Sequence, residues 1–341
     1  MSSLSIKNSA SKRILLACIV LLIFFALNAI RYGIETPRPR VCTDPRLLIT
    51  VLTYSRAESL GRLLTSLNSA NYGCAQVDLH VHVDLQSFTN SSRCAQVAQR
   101  VNWIHGRKTI FQRQKRIGLA QSWFEVPVSE HFEYLAVFED DMEVSQHYYT
   151  FLNMLHRSGS LKSSRVTALC LHPDDWEVHV ERPCQDESTY STVLYTSPEP
   201  CNWGPLWKMR QWIEYSAWVT RSKRLGQLPF VPEGISYNYN KYIREGKDVQ
   251  SSWLWRYNFE TSKTQVRYSF SHCAAETEEL YFAINHKEPG EHFKKKYNLQ
   301  NDPSLLDFEF SVVQSRFALS VASFVPFPFS GYETGASSMR G

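Results

Sequence analysis

The most constraining feature of this 341-residue sequence is an apolar run that ends abruptly in three carboxylates. Tyr134–Phe138 (YLAVF) is followed at once by Glu139, Asp140 and Asp141. A run without alternation of apolar and polar residues is typical of a strand that is covered on both faces. Adjacent carboxylates at its end repel one another unless a cation lies between them, and hard divalent ions such as Mn²⁺ or Mg²⁺ bind carboxylate oxygens. The sequence therefore predicts a divalent metal site at the end of a buried strand.

Further apolar runs alternate with segments of helical periodicity, which favours an α/β fold. The candidate strands are Leu47–Leu52, Val77–Val83, Tyr134–Phe138, Val166–Leu171 and Gln265–Phe270. Helical patterns at Leu60–Leu67 and Gln146–His156 lie between them. We expect a mostly parallel central sheet flanked by helices on both faces, with ligands beyond the carboxyl ends of the strands. Residues 173 to 264 are rich in Trp and Pro and show no clear sheet pattern, so we expect irregular loops there.

An uncharged stretch near the N-terminus, Ile14–Ile30 (ILLACIVLLIFFALNAI), has the composition of a membrane-spanning helix. As a helix it spans roughly 25 Å, which suits a thin early-secretory membrane. Lys7, Lys12 and Arg13 precede it with no acidic residue, and such basic flanks remain in the cytosol. We therefore expect an uncleaved signal anchor, with everything beyond Arg31 in the lumen. A cleaved signal peptide and a buried helix of a soluble domain are the alternatives.

The cysteines agree with a lumenal location. Of the eight, Cys18 lies in the apolar stretch, and the others are Cys42, Cys74, Cys94, Cys170, Cys184, Cys201 and Cys273. They form no C-x-x-C pair and no zinc-ligand spacing, so we expect disulfides with one cysteine left over. Proximity along the chain suggests Cys74 with Cys94, or Cys184 with Cys201. The sequon that begins at Asn90 (Asn-Ser-Ser) is compatible with glycosylation of a lumenal loop.

Charge and motifs disfavour several other classes of protein. The net charge is +4, and only Lys294-Lys295-Lys296 forms a basic tract, so nucleic acid is not an expected partner. The sequence contains neither G-x-G-x-x-G nor G-x-x-x-x-G-K-[ST], which disfavours a nicotinamide-dependent or P-loop enzyme.

At the acidic cluster the residues resemble a known family. Val137–Ser145 (VFEDDMEVS) is similar to the metal motif of GT-A glycosyltransferases, especially its Glu-Asp-Asp form in the N-acetylglucosaminyltransferases that begin complex N-glycan branching. The resemblance implies that Asp141 ligates the metal while Glu139 and Asp140 face the ribose and the donor. The alternative is an acidic turn that leads into a helix capped at Ser145.

Polar residues after the other strands extend this resemblance to the donor side. Thr53-Tyr54-Ser55-Arg56 resembles the nucleotide-binding turn of this fold, and Asp84 resembles the acidic residue that contacts the base. Arg116 and Gly118 occupy the place of a donor-contacting loop. Each has a simpler explanation, because Arg56 also suits a solvated helix start, Asp84 a turn, and Arg116 a surface basic run.

Two further segments resemble parts of these enzymes that contact sugar or phosphate. Asn285–His292 resembles a segment that closes over the donor phosphates, and His292 is the expected additional metal ligand. Trp203-Gly204 resembles the loop that admits sugar and acceptor, and Trp253 is assigned to the acceptor side. A surface loop with exposed histidines and simple tryptophan packing are the alternatives.

The catalytic base is the point where the resemblance is incomplete. Inverting members carry Asp or Glu just before a Trp on a helix near the acceptor, whereas Ser251 and Ser252 precede Trp253 here. A serine does not deprotonate a hydroxyl at neutral pH. Asp248 lies four residues before Ser252, on the same face of a helix, and is the candidate base.

Together these features imply a metal-dependent glycosyltransferase that moves a sugar from a nucleotide diphosphate donor, in first place a UDP-sugar, to a hydroxyl of a glycan or glycoconjugate. The expected organisation is a cytosolic tail (1–13), an anchor (14–30), a stem (31–46), a GT-A-like domain (47–310) and a C-terminal tail (311–341). The expected location is the Golgi membrane, or the endoplasmic reticulum, as a single-pass type II protein. The alternatives are a non-catalytic lumenal protein that binds sugar or nucleotide sugar on the same scaffold, and a metal-dependent phosphoesterase, whose second ligand cluster is not found.

Overall fold

The structure is a computed structural model. It describes residues 42–85, 88–171, 192–201, 203–229, 243, 250–270, 284–286 and 325–326, together with Ile19, Leu21 and Leu22. The chain divides into two compact units, Met1–Cys42 and Thr43–Gly341, and the second contains every element discussed below. Within the described part of the chain, no helix combines the length and apolar character that crossing a bilayer requires. Most of the predicted anchor, Ile14–Ile30, lies outside the described residues, so the anchor stays a prediction.

The described residues form eleven strands and six helices. The strands are β1 Leu47–Thr53, β2 Val77–Val83, β3 Lys108–Gln112, β4 Tyr134–Glu139, β5 Met142–Val144, β6 Val166–Cys170, β7 Thr192–Ser197, β8 Pro205–Lys208, β9 Thr264–Phe270, β10 Ile284–His286 and β11 Val325–Pro326. The helices are α1 Ala57–Asn68, α2 Phe88–Arg100, α3 Leu119–Phe124, α4 Tyr148–Ser158, α5 Met209–Arg224 and α6 Gln250–Thr261.

The central sheet has the strand order β11-β7-β9-β6-β8-β4-β1-β2-β3. Strands β3, β2, β1 and β4 run parallel, with Leu47 opposite Val77 on one side and Tyr134 on the other. Strand β8 runs antiparallel to both β4 and β6 and separates them. The prediction of an α/β fold with a central sheet is confirmed, and the parallel pairing holds for the half that contains the acidic cluster.

The expectation of irregular loops from 173 to 264 was wrong for part of that region. Strands β7 and β8 lie within it, as do helices α5 and α6. Strand β8 is too short to show an alternating pattern, and its residues Leu206 and Trp207 are fully buried because the strand is covered on both faces. No local period in the sequence marks such a strand.

Helices cover both faces of the sheet. On one face, α1 presents Leu60, Leu63, Leu64 and Leu67, whose spacing is that of a helical stripe, and all four are fully buried. A fully buried leucine contributes about 1.5–3 kcal/mol. Helices α2 and α4 pack into the same cluster, whereas α3, α5 and α6 contribute aromatic side chains to a second cluster on the opposite face. The sheet is therefore rigidly held between two apolar layers.

The direction of chain progression reverses between β1 and β4. From β1 the chain moves outward to β2 and β3, and then returns to place β4 on the other side of β1. The connections after two neighbouring parallel strands therefore diverge and leave a crevice at their carboxyl ends, where α/β proteins bind ligands. Thr53 ends β1 and Glu139 ends β4, so the residues that follow both border this crevice.

Both suggested disulfide pairings were wrong. Cys201 is bonded to Cys170, and Cys94 is a buried free thiol, whereas Cys74 is disulfide-bonded. Cys170 ends β6 and lies opposite Pro205 of β8, so the sheet brings Cys201 to it across 31 residues of sequence. Proximity along the chain does not reveal such a pairing, because sheet topology decides it.

Candidate functional site

A crevice of about 250 Å³ lies at the carboxyl ends of β1 and β4. Its walls include all eight residues predicted to contact a donor: Thr53, Tyr54, Arg56, Asp84, Arg116, Gly118, Glu139 and Asp140. They come from four separate stretches of sequence that the parallel half of the sheet brings to one edge. Their donor-binding role stays a prediction, and the site also contains Leu52 and Ser122, which the sequence did not assign to it.

Asp140 is the centre of a polar network in this crevice. Its side chain is almost completely buried, and its Oδ2 accepts a hydrogen bond of 2.6 Å from the hydroxyl of Thr53. Its Oδ1 accepts a hydrogen bond of 2.9 Å from Nε of Arg56, and the Nη2 group of the same guanidinium also contacts it. Both carboxylate oxygens of Asp140 therefore have donors that come from the β1 turn.

Asp141 shares the same guanidinium. Nη1 of Arg56 lies 2.8 Å from Oδ2 of Asp141, so a single arginine bridges two adjacent carboxylates. Burial raises the pKa of Asp140, the negative charge of Asp141 adds to that effect, and the contacts with Thr53 and Arg56 oppose it. Burial by itself lowers the pKa of Arg56, but the two carboxylates outweigh it and the pKa is raised. The arginine therefore remains a cation beside the pair.

Asp84 holds the loop that forms one wall of the crevice. Its Oδ1 accepts hydrogen bonds from the backbone amides of Leu85 (2.8 Å) and Ile117 (3.0 Å), and its Oδ2 accepts one from Gly118 (2.8 Å). Gly118 has φ of +80°, a conformation that favours glycine, and it immediately precedes α3. The contacts shown here make Asp84 a residue that fixes the 117–118 turn. The predicted contact with a base stays a prediction.

Two aromatic side chains orient charged groups of the site. The guanidinium of Arg116 lies 5.0 Å from the centre of the Tyr54 ring, in cation–π geometry. On the β4 side, Nε1 of Trp123 donates a hydrogen bond of 3.2 Å to Oε1 of Glu139. The sequence analysis missed Trp123, because its partner lies on another element and no local pattern connects the two.

The chemistry of this donor set fits a hard divalent cation. Asp140 and Asp141 offer carboxylate oxygens at one point, and their exposures of 2% and 6% leave little solvent to screen their repulsion. In the described residues the Arg56 guanidinium lies against both groups. A cation at Asp141 would take its remaining ligands from the donor diphosphate and from residues outside the described part of the chain.

Strand β10 places Asn285 and His286, the first two residues of the predicted Asn285–His292 segment, beside the acidic pair. It pairs antiparallel with β5, with His286 opposite Met142, the residue that follows Asp141. The backbone that precedes Lys287 therefore lies beside the acidic turn. His292 lies outside the described residues, so its role as a metal ligand stays a prediction.

The residues assigned to the acceptor side occupy different environments. Gly204 is buried, has φ of +62° and precedes β8, so Trp203-Gly204 lies at the same sheet edge as the acidic turn. Trp203 is partly buried against the core. Trp253 is only 3% exposed and packs against Trp218, which leaves little of its ring for a sugar. Its acceptor role and that of Trp203-Gly204 stay predictions.

The candidate base, Asp248, lies outside the described residues. The two serines that occupy the expected place of the base are buried in α6, where Ser252 is fully inaccessible to solvent. They therefore belong to the packing of the helix.

Comparisons with known proteins give weak similarities. No family model matches the chain, and no curated protein matches it. Among solved structures, the mannosyltransferase PcManGT from Pyrobaculum calidifontis, in complex with GDP-Man and Mn²⁺, aligns over 61% of this chain and 55% of its own length, with 14% identity and a TM-score of 0.35. TarS from S. aureus aligns over 50% of this chain and 29% of its own, with 9% identity and a TM-score of 0.33. TarS 1–349 in complex with UDP-GlcNAc gives 12% identity and a TM-score of 0.30, over 48% of this chain and 45% of its own.

The chain thus spans about half the length of the first structure. Similarities this low assign neither fold nor function, so the proposals below rest on the site itself.

Proposed function

We propose that this protein is a glycosyltransferase that moves a sugar from a nucleotide diphosphate donor to an acceptor hydroxyl with the help of Mn²⁺ or Mg²⁺. The first candidate donor is a UDP-sugar. The observation that carries the proposal is the buried pair Asp140 and Asp141 at the reversal point of the sheet. Asp140 lines a crevice with two arginines and a tyrosine, and Asp141 contacts one of these arginines, Arg56. Carboxylates beside cationic side chains suit a metal–diphosphate ligand, because the metal bridges both kinds of oxygen.

Different residues of the crevice would contact different parts of the donor. The Tyr54 ring offers a flat face to a nucleobase, and Arg116 beside it offers positive charge to the adjoining phosphate. Glu139, which accepts a hydrogen bond from Trp123, would accept further hydrogen bonds from the ribose. Asp141 would hold the metal ion, which when bound would stabilise the leaving diphosphate as a Lewis acid. Asp248 is the proposed base that takes the proton of the acceptor hydroxyl.

The test is release of UDP from a panel of UDP-sugars by the full-length protein, with Mn²⁺, with Mg²⁺ and after chelation. We expect turnover that requires the cation and is abolished by Asp141→Ala, while the variant keeps its melting temperature. Turnover that is unchanged by chelation and by this substitution would reject the metal-dependent mechanism.

A second candidate is a non-catalytic protein that binds sugar or nucleotide sugar on the same scaffold. The observation that favours it is the pair of buried serines, Ser251 and Ser252, at the place of the expected base. Calorimetric binding of UDP or a UDP-sugar without any turnover across the panel would select this candidate. Loss of turnover in Asp248→Asn, with UDP binding unchanged, would instead select the enzyme.

We also propose that the protein is a single-pass type II protein of the Golgi or endoplasmic reticulum membrane. The support is the uncharged stretch Ile14–Ile30 with its basic flank, and the disulfide between Cys170 and Cys201, which forms in an oxidising compartment. Expression in cells followed by glycosidase digestion tests the orientation. Asn90 lies near the start of α2 and not in the loop that the sequence predicted. A mobility shift that Asn90→Gln abolishes is expected, and glycosidase-insensitive protein in the cytosolic fraction would contradict the proposal.

A further inference from the structure

Arg56 occupies a position that a metal ion also needs. Its Nε lies 2.9 Å from Oδ1 of Asp140, and its Nη1 lies 2.8 Å from Oδ2 of Asp141. A planar guanidinium can bridge two carboxylates in this way because its N–H groups point in fixed, parallel directions. The oxygens it covers belong to the two side chains that are the best candidates to hold a divalent cation.

The two sides of this bridge differ in their freedom to move. The side chains of Asp140 and Asp141 are 3% and 8% exposed, and Thr53 fixes Asp140 through its second oxygen. The Arg56 side chain is 41% exposed and borders the open crevice. The acidic pair is thus a fixed element, whereas the long arginine side chain can turn into the crevice without disturbing buried packing.

The charges favour movement of the Arg56 guanidinium away from the two carboxylates when a nucleotide diphosphate donor is present. Two carboxylates and one guanidinium leave the cluster with one negative charge, so a divalent cation that enters without a partner must displace or repel the arginine. A diphosphate in the crevice offers the displaced guanidinium a new anionic partner of suitable geometry. The cost of breaking the bridge is then offset by a contact that exists only in the ternary complex.

We propose that Arg56 is an exchangeable counter-ion of the Asp140–Asp141 pair: the divalent cation replaces its guanidinium at Asp141, and the released guanidinium moves to the diphosphate of the donor. The inference rests on the proposed function and deepens it, because it explains how cation and donor assist each other's binding. The coupling is reciprocal, since a donor that captures Arg56 must also strengthen the binding of the cation.

The test measures Mn²⁺ binding directly, by the electron paramagnetic resonance signal of free Mn²⁺, with and without UDP. Three proteins are compared: the full-length wild type, Arg56→Ala and the control Arg62→Ala. Arg62 has a similar exposure of 42%, but its Nε lies 3.5 Å from Glu143 and it does not border the crevice. This control separates the position of the charge from a general loss of positive charge.

We expect Arg56→Ala to bind Mn²⁺ without UDP at least tenfold more tightly than the wild type, because its competitor is gone. UDP should tighten Mn²⁺ binding severalfold in the wild type and in Arg62→Ala, and this gain should disappear in Arg56→Ala. If Arg56→Ala fails to fold, Arg56→Lys keeps the charge but cannot bridge both carboxylates, and it should bind Mn²⁺ alone more tightly than the wild type.

The possible failures are distinguishable. Coupled binding of Mn²⁺ and UDP to the wild type, with equal Mn²⁺ affinity and equal coupling in Arg56→Ala, overturns the exchange and leaves the proposed function standing. Weaker Mn²⁺ binding in Arg56→Ala overturns the exchange as well, because it makes Arg56 a support for the metal. A wild type that binds neither Mn²⁺ nor UDP rejects both the exchange and the proposed function.

Discussion

Thr53, the last residue of β1, donates a hydrogen bond of 2.6 Å to Oδ2 of Asp140, the residue that follows β4. This bond joins the two neighbouring strands at the point where the chain progression reverses. It holds a buried carboxylate in one orientation, and the Arg56 bridge depends on that orientation. Several measurable properties follow from this network and from the sheet around it.

Replacing Thr53 by Val keeps the shape of the side chain and removes the hydroxyl. We expect the free energy of unfolding to fall by about 1–3 kcal/mol, because a buried carboxylate oxygen loses its donor. The Michaelis constant for the donor should rise, since Asp140 is then free to rotate. Urea unfolding and initial-rate kinetics measure the two effects. Thr65→Val, at an exposed position of α1, is the matched control and should change neither.

Replacing Asp141 by Asn preserves volume and removes one negative charge. We expect loss of metal-dependent UDP release by at least two orders of magnitude, because the amide is a much poorer ligand for a hard cation. Fold stability should change little, because the lost ion pair with Arg56 and the relieved repulsion with Asp140 oppose each other. Glu143→Gln, two residues along the chain and paired with Arg62, should retain most activity. Equal loss in both variants would contradict a specific role for Asp141.

Removing the disulfide between Cys170 and Cys201 by a double Ser substitution should lower the free energy of unfolding by about 2–4 kcal/mol. The bond closes a segment of 31 residues and fixes the chain just before Trp203-Gly204. Urea unfolding under oxidising conditions measures the loss. Wild-type protein in reducing agent should lose more than the double variant does without it, because the reductant also cleaves the disulfide of Cys74. The double variant should respond to the reductant through that second bond alone, and so by less than the wild type.

His82 should make the protein sensitive to acid. Burial lowers the pKa of its imidazole to about 4, with a further decrease from Arg113 and His80. Both ring nitrogens are buried, and neither has a hydrogen-bond partner in the described residues. Because the pKa is lower in the folded state than the usual 6.5, the unfolded chain binds the proton first, and stability falls as the pH drops from about 6.5 to 4.

The test compares unfolding of the wild type and His82→Phe at pH 7.5 and pH 4.5. Phenylalanine preserves the stacking on Phe111, whose ring centre lies 4.6 Å from that of His82. We expect the wild type to lose about 2.5 kcal/mol more than His82→Phe between the two pH values. His131→Gln, at an exposed position, should behave like the wild type. An identical loss in His82→Phe would assign the acid sensitivity to other groups.

The grouping of the predicted donor residues in one crevice follows from their positions in the sequence, because most of them come directly after an apolar run, whereas their role in binding a donor stays a prediction. Thr53, Asp84 and Glu139 are the first polar positions after buried strands, or nearly so, and parallel strands bring their carboxyl ends to one edge. The crevice lined by the eight predicted residues is a consequence of that pattern.

Other features depend on contacts between distant segments, and the sequence did not reveal them. Nothing local indicates that Cys201 meets Cys170, or that Trp123 orients Glu139. The hydrogen bonds that the backbone amides of Leu85, Ile117 and Gly118 donate to Asp84 could not be predicted either, because they depend on backbone geometry. The bridge formed by Arg56 could be found only once β1 and β4 were known to be neighbours.

The antiparallel strand β8 has a consequence for the order of events during synthesis. Pro205–Lys208 lies between β4 and β6, so these two strands have no partner on their facing edges until the ribosome has passed residue 208. Throughout that interval the edge of β4 that leads to the acidic turn carries unpaired amides and carbonyls, which favour mispairing. The edge of β4 that faces β6 therefore stays unpaired until the four residues Pro205–Lys208, from the second half of the chain, have been synthesised.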